Sequence, residues 1–431
     1  MSSFDAWFGV WLGEHRVGTL KQVGDRTWFS LDPDYRENPG RPVLGLIFED
    51  RPTAVHSAAV RLPPWFSNLL PEGRLRAWIA DERGVNEKRE MEILAQVGHD
   101  LPGAVRVIPD DGDPGDAVAP AAEEVYPLDD SGATYEPGLR FSLAGVAIKF
   151  SMVRIQDKLT LPAHGMGGDW IVKLPDARFR DVPRNEFAMM SLARAVGIEV
   201  PEILLVPRSQ VDERLSPSVW PAGEDYAYAI RRFDRAGGRK LIHIEDVAQV
   251  RNVYPDQKYL GNFETVASLI YRRRDVGSLQ EFVRRLAFSI LISNGDAHLK
   301  NWSLIYRDPR IPVLAPAYDL VSTGSYDLAD RPEDLGLKFG GTRAFHRISL
   351  GTFQRLEQRL GVAGGALADC VALVVERTLR EWPSHAHLLE GNQGLQDFID
   401  RSIRARSRTL LRGSSGLGGS PVAEGIGGNH G

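Results

Sequence analysis

Apolar and polar positions alternate at the start of the chain. Trp7, Phe8, Val10 and Leu12, then Val17 and Leu20, with the polar turn Gly13-Glu14-His15 between them, predict a small sheet. Over residues 65–76 and 87–97 the apolar positions recur at helical spacing, and Gly98 ends the second run. Between about 109 and 137 the chain turns rich in Asp, Pro, Gly, Ala and Glu, which marks a boundary. Beyond it, extended segments over 139–150, 169–174 and 226–231 surround one helix, 186–196, which stops at Gly197 ahead of Pro201. From about 240 to 411 helical periodicity prevails, broken near 294–324 by loops of Gly, Pro and Asp. The closing glycine- and serine-rich stretch has too little apolar area to offset its ordering entropy, so 413–431 is expected to be disordered.

The predicted division is therefore an N-terminal subdomain at 1–110, a linker at 111–137, a sheet-containing lobe at 138–240 and a helical lobe at 241–412. A chain of 431 residues is too long for one simple core and suits lobes that meet at a cleft. With 43% hydrophobic and 25% charged residues the composition is that of an ordinary globular enzyme. The formal net charge of -5 excludes holding nucleic acid by global electrostatics alone, so any DNA contact must be local. A local basic run exists at Arg401, Arg404, Arg406, Arg408 and Arg412, and it fits either a DNA contact or a solvated helix face with Ile403 and Leu410 turned inward. Cys370, the single cysteine, sits in an apolar stretch like a buried helix residue and excludes an intrachain disulfide. The N-terminus lacks the basic and apolar regions of a secretory signal, and no run approaches the roughly 18 apolar residues of a membrane span. A cytoplasmic protein without a membrane partner is expected.

The candidate chemistry lies in Asn294-Gly-Asp-Ala-His-Leu-Lys-Asn301. Asp296 and Asn301 are five positions apart, after the apolar segment 286–292, which delivers a polar loop to the end of a buried helix. Protein kinases use an Asp to accept the substrate hydroxyl proton and an Asn five positions later to hold Mg²⁺, because phosphoryl transfer needs positioning and charge neutralisation. Asp319 follows the strand-like segments 302–306 and 311–314, and a hairpin would return it beside Asn301. Mg²⁺ bridging nucleotide phosphates needs only one or two protein carboxylates, so Asn301 and Asp319 suffice as its protein ligands. Upstream, Lys173 lies on a strand and Glu186 opens the next helix, the arrangement in which a kinase lysine bridges nucleotide phosphates and a glutamate holds it. Taken singly, these features also fit a polar turn, a surface lysine and a first-turn glutamate. Their order along the chain, Lys173, Glu186, Asp296, Asn301, Asp319, is that of a kinase. Before Lys149, Ser142-Leu-Ala-Gly145 fits a small-residue turn whose N–H groups cradle phosphates, and equally a plain β-turn.

From its N-terminus to about residue 411 the chain resembles the HipA family of bacterial toxin–antitoxin serine/threonine kinases. The resemblance rests on Asn68-Leu-Leu-Pro-Glu72, Gly98-His-Asp-Leu-Pro-Gly-Ala104, Phe141-Ser-Leu-Ala-Gly145 with Lys149, Val172-Lys-Leu-Pro175, Asn185-Glu186, Arg232-Phe-Asp-Arg235, Glu245-Asp246, Gly295 to Asn301 and Tyr318-Asp319. It implies an α+β, protein-kinase-like bilobal fold with an N-terminal α/β subdomain and a mainly helical C-terminal lobe. It implies transfer of the ATP γ-phosphate, with Mg²⁺, to a protein serine, with an aminoacyl-tRNA synthetase as one kind of target. It further implies inhibition by a HipB-like helix-turn-helix antitoxin, and operator DNA bound only through that antitoxin complex. By position, Asp296 is the base, Asn301 and Asp319 hold the metal, and Lys173, supported by Glu186, binds phosphate. Arg231 to Phe233 form the adenine-contacting hinge. The same resemblance implies that His298 and Lys300 lie beside the phosphates, that Ala144 and Gly145 belong to the phosphate loop, and that Ser142 is the autophosphorylated serine. Here Val146-Ala-Ile148 precedes Lys149, a more apolar loop than the family usually carries, and Leu320 follows Asp319.

Two other functions share parts of this pattern. The catalytic-loop sequence also resembles that of aminoglycoside and choline phosphotransferases, which act on small molecules and lack the Asn68-to-Glu72 region. A pseudokinase that serves only as an antitoxin-bound corepressor is the other.

Overall fold

The computed structural model describes residues 5–110, 148–162, 167–215, 220–237, 240–326, 334–362 and 364–412. The expected linker, the segment from Phe141 to Gly145 that includes Ser142, Ala144 and Gly145, and the expected tail lie outside the described residues.

The N-terminal sheet is antiparallel and contains β1 (Asp5–Leu12), β2 (His15–Val23), β3 (Arg26–Leu31), β4 (His56–Ala59) and β5 (Val105–Pro109), in the order β4-β3-β2-β1-β5. Its register puts Phe8 opposite Leu20 and Leu20 opposite Phe29, so three apolar side chains form one row across one face. Short helices cover that face: α1 (Pro33–Glu37), α2 (Leu46–Asp50) and α3 (Pro64–Ser67). Phe29 meets Phe48 of α2 at 5.1 Å and Phe66 of α3 at 4.7 Å between ring centroids, both edge to face. The helical period over 65–76 resolves into α3 and a separate α4 (Gly73–Arg83), because Pro71 cannot continue a helix and biases the residue before it to an extended conformation. The segment Leu70-Pro71-Glu72 between them lines the cleft. The helix expected over 87–97 is α5 (Glu90–Val97).

The second sheet holds β6 (Lys149–Ile155), β7 (Lys158–Thr160), β8 (Trp170–Lys173), β9 (Ile203–Pro207) and β10 (Tyr226–Arg231), in the order β7-β6-β8-β10-β9. Of the strand expected over 139–150, Lys149 and Phe150 fall in β6, which runs on to Ile155; positions 139–147 lie outside the described residues. Against this sheet packs α6 (Val182–Ala195), whose Ala188, Met189, Leu192 and Ala193 are fully buried. It begins four residues before Glu186, so Glu186 sits inside the helix and does not open it. Pro183 fits the first turn, where its missing N–H has no intrahelical partner to lose.

The helical lobe contains α7 (Val247–Val250), α8 (Phe263–Tyr271), α9 (Val276–Leu291), α10 (Leu350–Leu360), α11 (Ala366–His385) and α12 (Gln393–Leu410). The Asp275 side chain caps α9 by accepting from Ser278 N–H at 2.9 Å. Leu279, Phe282, Val283, Leu286 and Ile290 then form a stripe with no exposure, packed against α8, α11 and α12. A small sheet, β11 (His243–Asp246), β12 (Ser303–Tyr306) and β13 (Val313–Leu314), contains the expected hairpin, with Leu304 opposite Leu314 and Ile305 opposite Val313. A two-stranded ribbon, β14 (Asp334–Phe339) and β15 (Thr342–Ala344), lies under the loop after α9. Cys370 is buried in α11 as expected, and on α12 Ile403 and Leu410 turn inward.

Two buried polar networks bind the N-terminal domain to the lobes. Asp234 joins Arg232 at 2.8 Å and Arg235 at 2.9 Å, and both guanidinium groups also reach Asp100, at 3.1 and 2.8 Å. Asp234 further accepts the Gly103 N–H at 2.8 Å. The Gly98-to-Ala104 and Arg232-to-Arg235 motifs are thus two halves of one joint. The second network surrounds Glu245, which accepts from Leu46 N–H at 3.1 Å, from Trp65 Nε1 at 3.3 Å and from the Tyr306 hydroxyl.

Candidate active site

Lys149 and Lys173 are direct cross-strand partners on β6 and β8, so their side chains leave the same face of the sheet, into the cleft. Lys173 is held by two carboxylates: Glu186 of α6 at 2.6 Å, and Asp319. Burial pulls the Lys173 ammonium below its usual range and the Glu186 carboxyl above its own, while their mutual attraction opposes both shifts. Lys149 opens to the water of the cleft, yet the surrounding walls depress it too, with Glu72 and Glu186 opposing.

After α9 the chain turns sharply through Ser293, which has φ 55°, and passes close beneath β14. A Cβ on Gly295 would stand 2.6 Å from the Asp334 carbonyl oxygen, and one on Gly336 2.8 Å from the Ala297 backbone, so both contacts need glycine. Asp296 follows. Its N–H donates to Asn294 Oδ1 at 3.0 Å, its carbonyl accepts Asn301 Nδ2 at 2.9 Å, and its carboxylate accepts the Tyr259 hydroxyl. The β12–β13 hairpin returns Tyr318 and Asp319 to this loop: Tyr318 donates to the Lys300 carbonyl at 2.8 Å, and Asn294 Nδ2 donates to the Asp319 carbonyl at 3.4 Å. Asp319 has φ 56°, a left-handed conformation uncommon among non-glycine residues but open to aspartate.

Lys173, Glu186, Asp296, Asn301 and Asp319 therefore all line one cavity of about 560 Å³. The others expected from the sequence occupy it in different ways. Phe233 faces Tyr318 with ring centroids 5.7 Å apart. Arg231 directs its guanidinium outward to Glu202 at 3.2 Å, and its own N–H and that of Arg232 are taken by Glu202 and Asp169 carbonyls, so this part of the hinge offers neither amide to a ligand. His298 is 3% exposed and packs edge to face on Tyr259 at 5.1 Å. Burial, and then the neighbouring Lys258, push its imidazole well below the usual range, so it is neutral. Lys300 turns to the N-terminal domain, with its ammonium 2.7 Å from Glu72 and 2.9 Å from the Asn68 carbonyl.

Four further contributors line or support the site: Lys149 and Glu72, which the sequence offers as motif residues without a role in the site, and Lys258 and Tyr259, which it does not single out. Lys149 was legible as the charged residue at the strand edge of the Ser142 segment. The other three come together only by folding, since Glu72 meets Lys258 and Lys300 across more than 180 positions of chain. Oxygen ligands for a hard cation are present in the Asp319 carboxylate and the Asn301 amide, which fit Mg²⁺. Among the described residues no helix is long and apolar enough to cross a membrane.

The model of the HipA-like C-terminal domain matches residues 141–382, and that of the HipA N-terminal domain matches 8–108. A Sinorhizobium fredii protein named "Putative kinase Y4dM" is 41% identical over 400 residues, covering 89% of this chain and 93% of its own. A second from that organism, "Putative kinase Y4mE", is 30% identical over 78% of this chain and 80% of its own. The serine/threonine-protein kinase toxin HipA of Shewanella oneidensis is 26% identical over 60% of this chain and 63% of its own. A solved structure of the Shewanella oneidensis HipA, HipB and operator DNA complex has the same fold, with a TM-score of 0.70 at 20% identity over 94% of this chain and 97% of that one. With a domain match that spans more than half of its length and motifs gathered around one cleft, the chain belongs to the HipA family.

Proposed function

We propose that this protein is a toxin serine/threonine kinase that transfers the γ-phosphate of ATP, with Mg²⁺, to a protein serine. The carrying observation is that Lys173, bridged between Glu186 and Asp319, shares one cavity with Asp296 and Asn301. In this reading Lys173 binds phosphate, with Lys149 beside it on the next strand. The Phe233 and Tyr318 rings, packed on each other, give the hinge an aromatic wall on which a planar base stacks. Asn301 and Asp319 hold Mg²⁺, which when bound neutralises charge on the phosphates. Asp296 accepts the proton of the attacking serine as the Oγ–phosphorus bond forms, the bond to the β–γ bridging oxygen breaks and ADP leaves. A HipB-like helix-turn-helix antitoxin as inhibitor, operator DNA reached only through it, an aminoacyl-tRNA synthetase as target and Ser142 as an autophosphorylation site belong to the same proposal. They rest on family membership.

The N-terminal domain favours a protein substrate over a small alcohol or sugar, because Leu70, Glu72, Leu75 and Trp78 extend one wall of the cleft beyond the catalytic loop. The test is incubation of the purified full chain with γ-labelled ATP and Mg²⁺, alone and in a cell extract. Label should appear on protein serine and vanish in Asp296→Asn and Asp319→Asn. Label confined to added aminoglycosides or alcohols would replace the reading with a small-molecule phosphotransferase, and ATP binding without any transfer would make the chain a pseudokinase.

A further inference from the structure

We propose that Tyr259 is a positioning residue that orients the Asp296 carboxylate for proton transfer, an inference that rests on the kinase reading of the cleft. Three hydrogen bonds reach the backbone of Asp296: its N–H donates to Asn294 Oδ1 at 3.0 Å, and its carbonyl accepts from Asn301 Nδ2 at 2.9 Å and from the His298 N–H at 2.8 Å. These place the Cα but leave two side-chain torsions to be set by whatever touches the carboxylate. The Tyr259 hydroxyl does so, donating to Oδ1.

Tyr259 is itself clamped. Its carbonyl accepts Arg343 Nη2 at 2.7 Å, and the carbonyl of the preceding Lys258 accepts the Leu299 N–H at 3.0 Å, which stitches this segment to the catalytic loop. The ring stands edge-on to the neutral, buried His298 at an interplanar angle of 78°. With its ring fixed on the His298 side and its backbone on the Arg343 side, the phenol is a rigid reference, and the shorter Asp296 side chain adjusts to it.

The choice of donor has a chemical consequence. A lysine at this place would pair with Asp296 as an ion and weaken it as a base, whereas a neutral phenol fixes one oxygen and leaves the negative charge in place. With the carboxylate oriented by Tyr259, the serine proton passes to Asp296 while the Oγ–phosphorus bond forms and ADP departs with the electrons of the broken bond. The phenol keeps its own proton throughout, so the step balances without further reactants.

Tyr259→Phe keeps the ring and its packing and removes only the hydroxyl. In the full chain with Mg²⁺ and γ-labelled ATP, kcat for phosphate transfer should fall by about 10- to 100-fold, the scale of one lost hydrogen bond to a charged group. KM for ATP and the thermal unfolding midpoint should stay at wild-type values. An unchanged kcat would overturn the inference while leaving the kinase reading intact. So would a higher kcat, which would mean that the phenol blocks the acceptor position, or a parallel loss of ATP affinity and stability, which would mean a merely structural role. A wild-type chain that binds ATP but transfers nothing overturns both, and is recognised before any variant is made.

Discussion

Glu72 of the N-terminal domain meets Lys300, from the loop that carries Asp296, at 2.7 Å. Its other oxygen takes Lys258, also at 2.7 Å, so one carboxylate joins three segments of chain. Burial alone would raise the Glu72 carboxyl, but the two ammonium groups hold it well below the usual range.

Glu72→Gln keeps the shape and removes that charge, leaving two partly buried ammonium groups without it. Glu72 retains 28% side-chain exposure, so the loss is placed at about 1–3 kcal/mol, below that of a fully buried pair. Because its folded-state carboxyl is depressed, this contribution is present above the ordinary carboxylate range and fades as the pH falls through the folded value. Urea unfolding of both proteins at pH 7 measures it. Equal stabilities at pH 7 would remove Glu72 from the joint.

Glu245 has the opposite sign. Burial raises its carboxyl to about 7, against the hydrogen bonds from Tyr306, Trp65 and Leu46. A raised carboxyl contributes stability below the unfolded value near 4.5 and loses it as the pH rises through about 7. The span amounts to roughly 3 kcal/mol at 1.36 kcal/mol per pH unit. Glu245→Gln, which does not titrate, should therefore show a flatter stability profile between pH 5 and pH 8, and parallel profiles would refute this.

At the other joint, Asp234→Ala leaves Arg232 and Arg235, both buried, with Asp100 as their one remaining carboxylate among the described residues. Removing one partner of such a network costs about 3–5 kcal/mol. Limited proteolysis should then release the N-terminal domain earlier than in wild type, and an unaltered digestion course would count against its role as the tie.

Gly336→Ala sets a Cβ against the Ala297 backbone, next to Asp296. Overpacking at this contact should cost about 1–3 kcal/mol and displace the catalytic loop. Phosphate transfer should fall more than ATP affinity, since the displaced group is Asp296 and the lysines lie on a different sheet. A proportionate fall in both, measured by single-turnover transfer and ATP titration, would show that the loop had not moved on its own.

The sequence by itself determined what local physics controls. The apolar segment 286–292 determined the buried end of α9, and the five-residue step from Asp296 to Asn301 located the polar loop after it. Apolar segments around a turn of Asp, Pro and Arg determined the hairpin that returns Asp319. Helix limits were less legible: Pro183 fits inside the first turn of α6 while Pro71 divides α3 from α4, and a proline in the sequence does not announce which of the two it will do. Tertiary structure alone decided how distant segments share charge. Lys300, expected at the phosphates, is drawn to Glu72; Arg231, expected at the nucleotide, faces Glu202; and Tyr259, in an ordinary-looking loop, reaches Asp296. Periodicity and spacing act within a few turns of chain, whereas a desolvated charge finds its partner wherever folding brings one within about 3 Å, and no local pattern encodes that meeting.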